Sequence, residues 1–191
     1  MKRYIDSYCR YLEKQKVISP EQFPVYTYGL ELMTFSILNI MIVVGLSVVL
    51  NQGVSVFFFL LGFIPMRLFA GGFHAENHLN CSIVFAGIYV CSILVHSVVH
   101  STVLGGLLLA EAALIYLLAP VESPNKQITD KRRALNRKKS AVIVLLNFIV
   151  FVFYMLFWRE NHFISWYLVG GVIASATLPF GKFKLHCKMR N

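Results

Sequence analysis

Acidic residues are scarce in this chain, and charge of either sign is thin. Nine Asp and Glu stand against 18 Lys and Arg, and charged residues make up only 14% of the 191. Soluble domains usually carry about 25% charged and about 45–50% apolar residues. Here the apolar share is 57%, which argues against an ordinary soluble domain. Cysteine is sparse too. Cys9, Cys81, Cys91 and Cys187 show no paired spacing, so a disulfide framework is not expected. No glycine-rich P-loop occurs, so transport driven by nucleotide hydrolysis lacks its usual power source. The first thirty or so residues lack the short apolar core of a secretory signal. The expectation is that nothing is cleaved and that the first span directs insertion.

What is present is a set of apolar blocks long enough to cross a bilayer, which takes roughly 17–25 residues each. Six are legible: Leu32–Leu50, Val54–Phe69, Ser82–Val99, Val103–Pro120, Ala141–Trp158 and Phe163–Phe180. Asn51-Gln52-Gly53 joins the first pair tightly and Arg159–His162 the last; the joint at His100–Thr102 is softer. Lys and Arg mark cytoplasmic segments. With the N-terminus inside, the inner segments hold Lys2 to Lys16, Arg67, Lys126 to Lys139 and Lys182 to Arg190, and the outer loops hold only Arg159. The fold expected is all-α, one polytopic membrane domain of about six helices with both termini cytoplasmic. That topology accounts for the formal net charge of +9 without nucleic acid. Ahead of the spans, Tyr4, Ile5, Tyr8 and Leu12 recur at helical spacing among basic residues. They suit an interfacial amphipathic helix, or equally a solvated helix packed on the protein. Glu111 falls inside the fourth block, about two turns below the outer face, and has no assigned role.

The segment 67–81 is unlike the rest. Arg67, Gly71, Gly72, His74, Glu76, Asn77, His78, Asn80 and Cys81 gather in one short cytoplasmic loop. Cys81 opens the third span, where the first N–H groups of a helix favour an anion, and a thiolate is such an anion. His74 can take the thiol proton. On a continuous helix His74 and Cys81 would lie about 10 Å apart, so the pair needs a bend, which Gly71-Gly72 permits. Asn77 or Asn80 is placed to cap a helix starting near Asn80. Two other readings stand beside catalysis. His74, His78 and Cys81, with Glu76 or water, could ligate zinc; or these are plain interfacial residues.

The pattern Arg67…Gly72-x-His74-Ala75…Cys81 resembles the signature of the accessory gene regulator B (AgrB) family of membrane endopeptidases. Tyr28-Gly29-Leu30-Glu31 at the first span and Ala119-Pro120-Val121-Glu122-Ser123-Pro124-Asn125-Lys126 before the basic segment fit as well. The resemblance covers nearly the whole chain. It implies a cysteine endopeptidase, needing no cofactor, in the membrane of a Gram-positive bacterium with its active site on the cytoplasmic face. Its substrate would be a small AgrD-like propeptide, cut through a Cys81 acyl-enzyme with His74 as base. The product would be a thiolactone or lactone precursor of a quorum-sensing peptide. Arg67 and Gly72 match positions important for activity.

The basic segment 121–140 carries Lys126, Lys131, Arg132, Arg133, Arg137, Lys138 and Lys139. Alone it reads as a topology determinant near anionic lipid. Beside an AgrD-like substrate it becomes a docking surface for an acidic tail, weakened by salt. A homodimer is the commonest oligomer and the one to expect first. The competing functions are a peptide exporter and a metal-binding membrane scaffold.

Overall fold

Inside a lipid layer the backbone has no water to bond, so apolar blocks of this length become helices. The computed structural model describes residues 2–72, 78–121, 129–159 and 161–190. Among them eight helices follow in chain order: α1 (Lys2–Lys14), α2 (Phe23–Val49), α3 (Ser55–Ala70), α4 (His78–Val98), α5 (Ser101–Leu118), α6 (Asp130–Phe157), α7 (His162–Ala176) and α8 (Leu178–Arg190). Five stretches are long and apolar enough to cross a membrane: Phe23–Val49, Leu79–Val98, Ser101–Leu118, Asp130–Phe157 and His162–Phe183. The sixth expected span is α3. At 16 residues it is shorter, about 24 Å at 1.5 Å per residue. Outward faces are apolar, with Met41, Leu145 and Leu156 among the exposed residues. Such surfaces suit lipid rather than water.

Several helix ends differ from the apolar blocks, each for a physical reason. α2 begins at Phe23 rather than Leu32, because Pro24 suits a first helical turn and polar residues are no obstacle to helix. α6 begins at Asp130 rather than Ala141. Lys, Arg, Ala and Leu are good helix formers, and Asp130 in the first turn complements the helix dipole. From Asp130 onward the expected basic loop is therefore helix. α4 is helical from His78, ahead of the expected start near Asn80. The soft joint is a real break: α4 ends at Val98 and α5 starts at Ser101 after an extended His100.

α1 is amphipathic and lies packed on the protein, the second of its two expected readings. Ile5 and Cys9 are buried and α1 packs against α2, whereas Tyr4, Tyr8 and Tyr11 are exposed. The apolar set is thus split between an inward Ile–Cys edge and an outward tyrosine edge.

The core centres on α3 against α7. Gly62 lies under the Tyr167 carbonyl, and Gly170 lies under the Phe59 carbonyl, each leaving no room for a β-carbon. Small residues that let two backbones approach are the usual device of helix packing in lipid. Phe59, Phe63 and Met66 of α3 are buried. Phe59 stacks on Phe63 and meets Tyr89 of α4 edge-on, with ring centroids 5.4 Å apart in both pairs. The bundle has two distinct ends. One carries Arg67, Cys81, Thr177 and the start of α6; the other carries His96, His100, Trp158 and His162.

Candidate functional site

At the first of these ends α3 closes on Arg67, in its last turn. The Gly71 N–H caps the helix by donating to the Arg67 carbonyl at 3.2 Å. The Arg67 side chain then turns across to α7. Its Nη1 donates to Thr177 Oγ1 at 3.0 Å and, more weakly, to the Gly71 carbonyl at 3.4 Å. Thr177 is itself buried, and its hydroxyl donates to the Ala174 carbonyl at 2.8 Å. The guanidinium is thereby held in one orientation by groups from two helices.

Gly72 is buried with φ +135°, and Gly71 has φ +79°. Both angles lie where side chains are disfavoured. At Gly72 an added β-carbon would also run into Arg67 Nη1 and stand 2.5 Å from Thr177 Oγ1. Gly72 was expected to bend the loop. It also lets the chain pass directly over the guanidinium.

Cys81 occupies the first turn of α4 as a free, partly exposed thiol. It is near enough to Arg67 for a thiolate and the guanidinium to attract each other. Arg67, Gly72 and Cys81 are thus brought together from α3, the chain after it and α4. His74 lies outside the described residues, as do the chain between Gly72 and His78, where the bend was expected, and the side chain of His78.

The chain leaving α5 meets the chain leaving α3. The Val121 N–H donates to the Ala70 carbonyl at 2.9 Å, and Gly71 and Val121 form a parallel bridge. At Gly71 a β-carbon would collide with the Val121 carbonyl, so the close approach itself demands glycine. The chain ahead of His74 and the chain ahead of the basic segment are therefore stitched together.

Beside this stitch lies a groove of about 500 Å³, lined by Tyr116, Pro120, Asp130, Arg133, Arg137 and Lys182 among others. Arg133 and Arg137 are one helical turn apart and share a face. Arg137 donates to the Tyr116 carbonyl at 3.3 Å and lies over the Tyr116 ring. Lys139 Nζ sits 4.7 Å from the centroid of Phe69, two residues beyond Arg67. Lys131, Arg132 and Lys138 are exposed on α6 away from the groove's lining, and Lys126 lies outside the described residues.

Reading the sequence missed Thr177, Val121 and Lys182. Thr177 was readable only as a polar residue near the end of the last apolar block, and Lys182 as one more basic residue after it. Val121 stands within the Ala119–Lys126 run that fits the family pattern, with no role assigned to it.

No curated protein and no solved structure matches the chain. The family model described as Accessory gene regulator B matches residues 5–178. The chain therefore belongs to the accessory gene regulator B family, membrane proteins with a role in processing the autoinducer of agr quorum sensing.

Proposed function

We propose that this protein is a membrane cysteine endopeptidase that cuts an AgrD-like propeptide and closes its ring. One observation carries the reading: a free Cys81 in the first turn of a helix, within electrostatic reach of an Arg67 that Thr177 and Gly71 hold in place. The nucleophilic form of a cysteine is its thiolate, and a thiolate and a guanidinium attract each other.

In this reading His74 takes the Cys81 proton, and Sγ attacks the carbonyl carbon joining the future signal peptide to its tail. The carbon–nitrogen bond breaks, and His74 returns the proton to the leaving amine. The peptide is left as a thioester on Cys81. A cysteine or serine of the propeptide then attacks that carbonyl, the Cys81 thiolate leaves and recovers a proton, and the ring is a thiolactone or lactone. Transfer between thioesters is nearly balanced in energy, so keeping water out matters more than driving force. The membrane surface serves that need. The bound tail is acidic and lies in the groove of Arg133, Arg137 and Lys182. The active end faces the cytoplasm, and anionic lipid lies around it.

The test uses the full chain in liposomes containing anionic lipid, with an AgrD-like propeptide. Tail release and a peptidyl thioester on Cys81 are expected, and Cys81→Ala should abolish both. Tail release by the Cys81→Ala protein would overturn the reading. Metal analysis of the same preparation addresses the scaffold alternative, and transport without cleavage addresses the exporter.

A further inference from the structure

Glu111 was left without a role by its sequence context, and its surroundings supply one. It lies about 15 Å along α5 from Ser101, and Asn147 lies about 15 Å along α6 from Phe157. Both are therefore near the middle of a hydrocarbon layer about 30 Å thick. Glu111 is not within reach of water, as an edge position would have allowed. It and Asn147 are each only 1% exposed.

The two side chains make one hydrogen bond, from Asn147 Nδ2 to Glu111 Oε1 at 2.8 Å. The other two oxygens of the pair, Glu111 Oε2 and Asn147 Oδ1, are buried and have no partner. Both are acceptors, so what the pair lacks is a donor. Gly171 of α7 seals the pair from the third side. A β-carbon there would stand 2.6 Å from Asn147 Nδ2 and 3.3 Å from Glu111 Oε1.

The groups facing Glu111 offer little to balance a charge. α6 presents the neutral Asn147, and α7 presents Gly171 and, within electrostatic range, the phenol of Tyr167, which is no cation. One turn to either side on α5 itself are the buried Leu108 and Ile115. The basic residue of α8 among the groove's lining, Lys182, lies at the end of the bundle, away from the middle. An ionised carboxylate at such depth, with one neutral donor, is costly. A metal cation is a poor occupant, because a hard cation takes about six oxygens and two are unbonded here.

We propose that Glu111 and Asn147 form a proton-binding site at the middle of the bundle, in which Glu111 Oε2 carries a hydrogen and the carboxyl is neutral at physiological pH. The bound hydrogen is the donor that both orphan oxygens lack. Taking up the proton converts carboxylate to acid, and no other bond forms or breaks. Losing it leaves a charge where α5, α6 and α7 meet. Release is therefore tied to water or a cation reaching the pair, and so to a parting of those helices.

The experiment uses the full chain in liposomes. The infrared spectrum at neutral pH is compared with that of Glu111→Gln, a near-isostere of the neutral acid. The expected difference is the carbonyl stretch of a protonated carboxyl, present in the wild type and lost in the variant, with the thermal midpoint little changed. A carboxylate band in its place would overturn the proposal. Should the variant fail to insert, the wild type decides. Dicyclohexylcarbodiimide modifies protonated carboxyls in apolar surroundings, and mass spectrometry should find it on Glu111, decreasingly as the pH is raised. No label at Glu111, or protection of Glu111 by sodium ions, overturns the proposal.

Discussion

At Gly72 a side chain would compete with the Arg67 guanidinium for one volume, in a backbone conformation that side chains resist. Gly72→Ala should therefore displace Arg67 and abolish tail release while the helices still form, as circular dichroism and a release assay on one preparation would register. Thr177 acts through Arg67 and is a positioning residue. Thr177→Val removes the 3.0 Å acceptor. Loss of a hydrogen bond to a charged group costs about 1.5–3 kcal/mol, so a fall of roughly tenfold or more in cleavage rate is expected. Thr177→Ser should restore it, which a packing defect would not allow. Arg67→Lys keeps the charge and loses the fork that reaches two acceptors. It should fall between wild type and Arg67→Ala in the same assay.

The helical class and the order of the apolar blocks were legible because a hydrophobic block in lipid has one structural answer, the helix. Their ends were not. Lys131–Lys139 read as a loop by charge, but charge does not break a helix and their propensities favour one. Nor does hydropathy say which apolar block is central. α3 is a short apolar helix of 16 residues and much of it is buried, because it sits against α7 through backbone contact at Gly62 and Gly170. Those glycines were the available signal, and only pairing across the chain gives them meaning. The candidate site follows the same division. The Arg67–Gly72–Cys81 pattern lies within fifteen residues and was visible, whereas Thr177 and Val121 arrive from distant elements. A matching test is Gly170→Leu. Forcing α3 and α7 apart should cost about 1–3 kcal/mol or more, seen as a lower thermal midpoint in detergent. A conservative change on a lipid-facing position, such as Leu145→Ile, should leave the midpoint unchanged.

Across the whole molecule, positive charge and the thiol share one end of the bundle. Exchanging Arg133 and Arg137 together for Glu should weaken binding of an acidic propeptide tail by about tenfold at low salt. The difference should narrow as ionic strength rises, and titration of a labelled tail peptide into liposomes would measure both. The Ala70–Val121 hydrogen bond gives that shared end a fixed internal distance. Under the proposed function, a tail lying in the groove would be anchored at a set separation from Cys81, and the protein would act as a ruler along its substrate. Such a ruler selects a bond by its count of residues from the tail as well as by the residues flanking it. Propeptides with extra residues inserted between ring and tail should be cut at a shifted position or slowly. Val121→Pro, which removes the tethering N–H, should blur that choice of bond more than it slows the cut.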